Sequence, residues 1–223
     1  MDNKINSKEI IKFIDFCAGI GGGRLGLENN GLHCIAFSEI DKNAETTYRK
    51  MFGVDMEINL GNLMNIELNS LPEFDLLIGG FPCQTFSIIG DRCGLDDYDR
   101  GQVIYGIAKI IKEKNLKYFI LENVKGLTNH DNGRTFKIIL DLLAELGYKV
   151  EYKVMNSIDF GVPQMRQRIY IVGIRDDLVN SNSKFNFPDV YEYNYNIKDF
   201  LCDDEDLYID ENSTSYRTFL RYL

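Results

Sequence analysis

Residues 10–31 read IIKFIDFCAGIGGGRLGLENNG and predict a strand, a glycine turn and a helix in succession. The apolar run Ile10–Phe16 predicts the strand, which stops where Ala18–Gly23 begins. Residues Arg24–Asn30 predict a helix that ends at Gly31. Because glycine lacks a side chain, such a turn allows the backbone to approach a bound ligand at the carboxyl edge of a sheet.

The same alternation of strand and helix continues along the chain. Further strands are predicted at Cys34–Ser38, Phe74–Ile78, Lys117–Leu121 and Arg168–Gly173, and helices at Asp41–Phe52, with Asp41 as the cap, and at Gln102–Lys114. Another helix is predicted from the helical spacing of Phe136, Ile139, Leu140, Leu143 and Leu146 before Gly147. Strands that alternate with helices predict an α/β fold with a doubly wound, mainly parallel sheet.

The composition is that of an ordinary globular protein, with 44% apolar and 26% charged residues among 223. No apolar stretch approaches the roughly 18 residues that a membrane span needs, and Met1–Lys4 lacks the apolar core of a signal peptide. We therefore expect a cytoplasmic protein with no membrane partner. The five cysteines show no Cys-x-x-Cys spacing, which predicts free thiols and no bound metal.

The charge and the end of the chain carry separate information. A net charge of −9 argues against a general nucleic-acid binder, although a local cluster of arginines can still meet phosphate. The candidates for such a cluster are Arg92, Arg100, Arg166 and Arg168. Beyond Asn180 the periodicity is lost and the acidic run Asp203–Asp206 follows. We expect residues 1–180 to form one cofactor-binding and catalytic domain and residues 181–223 a peripheral acidic segment.

An acidic residue, Glu39, lies just past the second predicted strand, about twenty residues beyond the glycine turn. An acid at that distance can accept hydrogen bonds from both ribose hydroxyls, which favours a cofactor that carries a nucleoside. The residues alone leave a purely structural turn open, and also nicotinamide, flavin and adenosylmethionine as ligands. Glu39 alone is equally compatible with a solvated acid or with the partner of a nearby lysine.

Three further segments contain residues suited to chemistry. Gly79–Ser87 places Cys83 behind a proline at the end of a strand, where a thiol is suited to attack. Glu122 follows the strand that ends at Leu121, so its carboxylate is expected at the same edge and can hold a proton on a ring nitrogen. In Gln164–Arg168 the two arginines share one parity, which places them on the same face of a strand.

Taken in this order, these residues resemble the cytosine-C5 DNA methyltransferase family from Phe13 to about Arg175. The resemblance implies a Rossmann-like methyltransferase fold, S-adenosylmethionine as cofactor with S-adenosylhomocysteine as product, and cytosine in double-stranded DNA as substrate. It implies catalytic roles for Cys83, Glu122, Arg166 and Arg168. It also implies cofactor contacts at Cys17, Ala18, Gly19, Gly21, Gly22, Glu39, Ile40, Asn62 and Pro82. Residues 87–101, with glycines at 90, 94 and 101, resemble the loop that closes over the flipped base.

The sequence departs from the family pattern at Cys17, Ile40 and Asn62, where members often have Phe, Trp and Asp. Nothing after Arg175 resembles the target-recognition region or the final motifs, so we expect that region to be supplied elsewhere, for example by a second chain. By resemblance the protein is the modification component of a restriction–modification system. Two alternatives remain open: a catalytically incomplete fragment or nucleotide-binding module, and an RNA cytosine methyltransferase, which Cys83-Gln84-Thr85 disfavours.

Overall fold

The computed structural model describes residues 10–82, 103–179 and 185–191. In these residues the strands are β1 (Lys12–Phe16), β2 (His33–Ser38), β3 (Leu76–Gly80), β4 (Tyr118–Val124), β5 (Tyr148–Asn156) and β6 (Gln167–Arg175). The α-helices are α1 (Gly22–Glu28), α2 (Lys42–Phe52), α3 (Val103–Glu113) and α4 (Arg134–Glu145). Short 3-10 segments lie between these elements or after the last strand, at Leu63–Asn65, Leu68–Ser70, Lys125–Gly133, Ser157–Phe160 and Asp176–Leu178.

The strands form one sheet in the order β2-β1-β3-β4-β6-β5. The first four are parallel to one another, whereas β6 runs antiparallel to both β4 and β5. The predicted α/β fold with a mainly parallel sheet is therefore confirmed. Because helices cross between the parallel strands, the carboxyl ends of these strands all lie at one edge of the sheet. Ligands bind at that edge in folds of this type.

Strand β5 was not predicted, and the reason is visible in its residues. Tyr148, Val150, Tyr152 and Val154 alternate with Lys149, Glu151 and Lys153, a period of two that is typical of a strand with one buried face. Tyr152 packs its ring edge-on against Phe136 of α4, with the centroids 4.9 Å apart. This alternation follows directly on the helical spacing of Phe136–Leu146, and the two patterns are separated only by Gly147.

Three predicted strands end later than expected: β6 continues to Arg175, and the other two carry site residues. Gly79 and Gly80 belong to β3, and Glu122–Val124 belong to β4, where Gly80 pairs with Glu122. The predicted start of α2 is confirmed, because the Asp41 carboxylate accepts hydrogen bonds from the backbone N–H groups of Asn43 and Ala44. The site residues thus lie on paired strand ends, where the ladder restricts their movement.

Different helices pack on the two faces of the sheet. On one face Ile14, Phe16, Leu77, Phe119 and Leu121 are buried in a cluster that includes the apolar residues of α3 and α4. The other face carries a smaller cluster of Phe13, Cys34 and Leu76, with Leu27 of α1 packed against it. Residues of alternate parity along the strands, including Asp15, Ile78 and Glu122, share this second face.

The described residues fall into two compact units. The larger is formed by residues 10–82, 103–156, 166–179 and 185–189, and it contains the whole sheet. The smaller contains residues 157–165 and 190–191, in which the Tyr191 N–H donates to the Asp159 carbonyl at 3.1 Å. Within the described ranges, no helix has both the length and the apolar character needed to cross a membrane.

Candidate active site

The glycine turn after β1 bends through three left-handed residues, Cys17 (φ 51°), Gly19 (φ 57°) and Gly21 (φ 91°). Gly21 is restricted to glycine for a second reason: a Cβ there would lie 2.2 Å from the ring atom Cε2 of Phe52. The Gly21 N–H donates to the Ala18 carbonyl at 2.9 Å, and the Ala18 N–H donates to the Ser38 carbonyl at 3.0 Å. The turn is therefore closed on itself and fixed to the end of β2.

Glu39 lies directly beside this turn. Its Oε2 accepts a 2.7 Å hydrogen bond from the Gly19 N–H, and its Oε1 accepts from the N–H groups of Ile40 and Asp41, both at 2.8 Å. Asn59 holds the Glu39 backbone from the other side through its amide, which bonds both the N–H and the carbonyl at 3.0 Å. The carboxylate is oriented by these bonds and can accept further donors through its remaining lone pairs.

Arg24, Glu28 and Glu57 form an ion-pair cluster next to the turn. Arg24 of α1 is 5% exposed, and its guanidinium donates to both Glu57 carboxylate oxygens at 2.8 and 3.0 Å and to Glu28 at 3.0 Å. The guanidinium carbon also lies 4.5 Å from the centre of the Phe52 ring. Because Phe52 contacts Gly21, the cluster links the turn to α2 and to the segment that follows it.

Asp15 is a buried acid on the sheet face below the turn. It is 3% exposed, and its Oδ2 has no hydrogen-bond partner among the described residues. Burial raises the pKa of Asp15 from 3.8 to about 8, partly offset by a hydrogen bond from the Arg24 backbone. The group is therefore mainly protonated at neutral pH, and the unpaired polar atom is a candidate contact for a polar ligand.

The other expected cofactor residues, Ile40, Asn62 and Pro82, are exposed. Ile40 is 69% exposed, and Pro82 is exposed at the end of the described segment. Asn62 is exposed and caps a 3-10 segment, because its Oδ1 accepts the Met64 N–H at 3.0 Å. That oxygen has a second lone pair and can still accept from an amino group.

Glu122 forms an ion pair with Arg168 across the β4–β6 ladder. Arg168 Nε donates to Glu122 Oε1 at 2.7 Å, and the side chains are 19% and 33% exposed. Tyr170 pairs with Glu122 in the ladder. Burial raises the pKa of Tyr170, nearby Glu122 raises it further, and Arg166 and Arg168 lower it. Glu122 and Arg168, both predicted as catalytic residues, are thus in contact, and Arg166 lines the same cavity as Glu122.

The segment that leads to Cys83 is tied to the end of β4. The Phe81 N–H donates to the Glu122 carbonyl at 3.4 Å, and the buried Asn123 amide donates to the Phe81 carbonyl at 2.7 Å. A Cβ on Gly80 would lie 3.3 Å from Glu122 Oε2. The residues before Cys83 are therefore positioned against the same strand end that carries Glu122.

Cys83 itself lies outside the described residues, as do Arg92, Arg100 and the predicted closing loop 87–101. Of the described cysteines, neither has the properties of a nucleophile. Burial, with Glu39 and Asp15 nearby, raises the pKa of the Cys17 thiol to about 11. Burial likewise raises the pKa of Cys34 to about 12. Both thiols stay protonated at neutral pH, and the thiolate is the reactive form.

A cavity of about 600 Å³ in the larger unit brings together part of the turn, Asp15, Glu122 and Arg166, whereas Glu39, Ile40, Asn62 and Pro82 do not line it. Its volume is in the range of ligand sites, about 300–1,000 Å³. One wall is formed by the turn, a second by the strand ends, and a third by residues near the end of the described chain. The lining includes Cys17, Ala18, Gly22, Asp15, Gly80, Glu122, Arg166, Tyr170, Phe185 and Phe187.

Sequence reasoning missed several of these residues. Neither Asn59 nor Tyr170 is predicted as a site residue, and Phe185 and Phe187 fall in the predicted peripheral segment. Asn123 was noted only as a neighbour of Glu122, although its opposite parity on β4 places it on the buried face. Asn59 carries no sequence signal, because its role depends on a long-range contact with Glu39.

Comparison with known proteins adds a family and several relatives. The family model described as C-5 cytosine-specific DNA methylase matches residues 11–222. The Type II methyltransferase M.NgoBI of Neisseria gonorrhoeae is 45% identical over 196 residues, which cover 88% of this chain and 59% of the relative. The Type II methyltransferase M.HhaI of Haemophilus parahaemolyticus is 40% identical over 206 residues, covering 92% and 61%.

Solved structures agree on the fold. A crystal structure of Spodoptera frugiperda DNMT2, in mutant form, superposes with a TM-score of 0.71 at 22% identity and covers 90% of this chain and 61% of its own. The Entamoeba histolytica methyltransferase EhMeth gives a TM-score of 0.65 at 21% identity. The chain spans about three fifths of the length of these proteins and of the two bacterial relatives.

Proposed function

This chain belongs to the C-5 cytosine-specific DNA methylase family, and we propose that it transfers a methyl group from S-adenosylmethionine to C5 of cytosine in double-stranded DNA. The observation that carries the proposal is the Glu122–Arg168 ion pair, joined through Asn123 and Phe81 to the segment that enters Cys83. An acid and a nucleophile that act on one ring must be held on neighbouring strand ends, and β3 and β4 are such neighbours.

The residues present fit the cofactor. The three left-handed residues of the turn allow close approach, the Glu39 carboxylate is oriented and can accept ribose hydroxyls, and Asp15, Cys17 and Ala18 line a cavity of sufficient volume. Cys17, Ala18, Gly19, Gly21 and Gly22 of the turn would line the cofactor, with Ile40, Asn62 and Pro82 at its other end. When bound, the cofactor supplies an electrophilic methyl group on a sulfonium centre.

The chain's own residues activate the base. Cytosine C5 is a poor nucleophile, so the Cys83 thiolate adds to C6 and forms a C–S bond, while Glu122 holds a proton at N3. The ring electrons move to C5, which would then take the methyl group of a bound cofactor, with S-adenosylhomocysteine as the leaving group. Loss of the C5 proton to solvent and cleavage of the bond between C6 and the Cys83 sulfur restore the aromatic ring and release Cys83. Arg166 and Arg168 stabilise the charge of the adduct and favour the thiolate.

A stacked cytosine cannot reach these groups, so the base must leave the helix, at a cost of a few kcal/mol. We infer that residues 87–101 close over the flipped base, with the glycines at 90, 94 and 101 as hinges. Closure excludes water from the adduct. Arg92 and Arg100 of this segment are candidates for phosphate contacts, which would supply a local positive charge on a protein of net charge −9.

The relatives named as Type II methyltransferases support a role as the modification component of a restriction–modification system. We assign residues 1–180 to the cofactor-binding and catalytic domain and residues 181–223 to a segment that leads toward the target-recognition region. Because the chain covers 59% and 61% of these relatives, target recognition is assigned to further residues or to a second chain.

The direct test is methyl transfer to mixed-sequence DNA from labelled cofactor, followed by mapping of the modified base. The chain is assayed alone and together with any downstream coding region. Label at cytosine C5 in either preparation supports the proposal. Cofactor binding without transfer in both preparations would instead support a nucleotide-binding module that keeps the fold.

Replacing Glu39 with glutamine is expected to weaken binding of S-adenosylhomocysteine about tenfold. The amide keeps the side-chain volume, but its NH₂ group cannot accept, so one of the three backbone donors or a ribose hydroxyl loses its partner. Isothermal titration calorimetry measures the change. Glu67→Gln is the matched control, because Glu67 is exposed and lies away from the turn. Equal affinities for the Glu39 variant and the wild type would remove Glu39 from the cofactor site.

A further inference from the structure

Lys125 begins the 3-10 segment after β4 and carries a charge that no carboxylate among the described residues neutralises. Its exposed Nζ donates to the side-chain oxygen of Gln167 at 3.1 Å. Gln167 is neutral, so the bond orients the ammonium without reducing its charge. Several other cations of the described residues are paired with carboxylates instead: Arg24, Lys42, Arg49, Lys114, Lys117, Lys137, Arg168 and Arg175.

The position of Lys125 places this charge at the rim of the candidate active site. Val124, the residue before it, pairs with Arg168 in the ladder, and Glu122 lies three residues upstream. Arg168 forms an ion pair with Glu122, which neutralises its charge. Arg166 is exposed on the other side of Gln167 in sequence and lines the cavity. Lys125 and Arg166 therefore place positive charge at the strand ends that would face the substrate.

An ammonium has three donors, and Gln167 takes one, so two remain for an anion. The chain as a whole is net −9, and duplex DNA carries one negative charge per roughly 1.7 Å of helix axis. Such a chain can approach DNA only through cations that its own carboxylates leave uncompensated. Lys125 meets this requirement. Its hydrogen bond to Gln167 already restricts the long side chain, so less conformational entropy is lost when the ammonium binds a phosphate.

We propose that Lys125 binds a DNA phosphate close to the target cytosine and that Gln167 is the positioning residue that holds its ammonium. The inference rests on the proposed function, since it assumes that the carboxyl edge meets DNA. Lys125 would thus contact the DNA backbone without being one of the four residues to which we assign the chemistry, namely Cys83, Glu122, Arg166 and Arg168.

The test is the salt dependence of DNA binding by the complete protein, with any segment that follows residue 223 in place. Lys125→Met is expected to weaken duplex binding about five- to tenfold near 0.1 M salt and to lower the slope of log K against log salt by about one. Lys125→Arg should keep the wild-type slope. Gln167→Glu should weaken binding in the same way as Lys125→Met, because a carboxylate at that distance neutralises the ammonium. Fluorescence anisotropy of a labelled duplex measures all four proteins.

Lys112→Met is the matched control. Lys112 is exposed in the last turn of α3, which crosses between the parallel strands β3 and β4 and so ends at the opposite edge of the sheet. Its removal should change neither slope nor affinity, and Lys125→Met should leave S-adenosylhomocysteine binding unchanged. A Lys125→Met protein with wild-type slope and affinity overturns the inference alone. A wild-type protein that neither binds nor methylates DNA overturns the proposed function as well.

Discussion

Serine in place of Cys83 is expected to abolish methyl transfer, with a loss of at least about 10³-fold in rate, equivalent to roughly 4 kcal/mol in the barrier. A thiol forms a useful fraction of thiolate near neutral pH, whereas a serine hydroxyl without an adjacent base does not. Transfer of labelled methyl groups to duplex DNA measures the loss. Covalent trapping by DNA that contains 5-fluorocytosine should vanish too, since fluorine at C5 blocks the release of the C–S adduct only if that adduct forms.

The same substitution separates the chemistry from cofactor binding. Cys83 acts on the base, so the serine variant should bind S-adenosylhomocysteine with an affinity close to that of the wild type. Cys202→Ser provides the matched control, because it makes the same atomic change in the segment that we assign outside the catalytic domain. A Cys83→Ser protein that methylates within about tenfold of the wild type, a difference of only about 1.4 kcal/mol, would show that the nucleophile is a different group.

The elements that sequence predicted well are those in which a local pattern and a local cap agree. The helix α2 is an example: its apolar residues have helical spacing, Asp41 caps its first turn and Gly53 ends it in a left-handed conformation. Strand direction is different, since periodicity reports which face is buried and not which way the strand runs. The antiparallel β6 was therefore predicted as a strand but without its orientation.

The residues of the candidate site show the same difference between local patterns and long-range contacts. Glu39, Glu122 and Arg168 are predicted as site residues from their motifs and from the family resemblance, and their roles stay predictions. Asn59 and the packing of Phe52 on Gly21 were not predicted, since both depend on contacts between residues distant in sequence. Asp15 is an intermediate case: its place in an apolar strand was visible, but the unpaired Oδ2 follows only from the three-dimensional surroundings.

Replacing Glu122 with glutamine is expected to lower the methylation rate about 10²- to 10⁴-fold, the usual contribution of a positioned acid or base. The amide has nearly the same volume, yet it can neither take up a proton and hold it at N3 nor form an ion pair with Arg168. The 2.7 Å ion pair would be replaced by a weaker neutral contact, and the guanidinium, whose side chain is 19% exposed, would lose its counter-charge. The rate of adduct formation with 5-fluorocytosine DNA should fall in parallel, since addition of the thiolate to C6 depends on the proton held at N3.

A purely structural role for Glu122 predicts a different result. In that case the glutamine variant would lose thermal stability and cofactor affinity together, with little separate effect on adduct formation. We expect the reverse, because the turn is held by Glu39, which follows β2 and is itself held by Asn59, and neither residue belongs to the β4–β6 ladder. Glu113→Gln, at the exposed end of α3, makes the same chemical change outside the site and should leave the rate unaltered. If the Glu122 variant formed the adduct at the wild-type rate, Glu122 would be a ladder residue that supports Arg168, and the proton at N3 would have to come from another group.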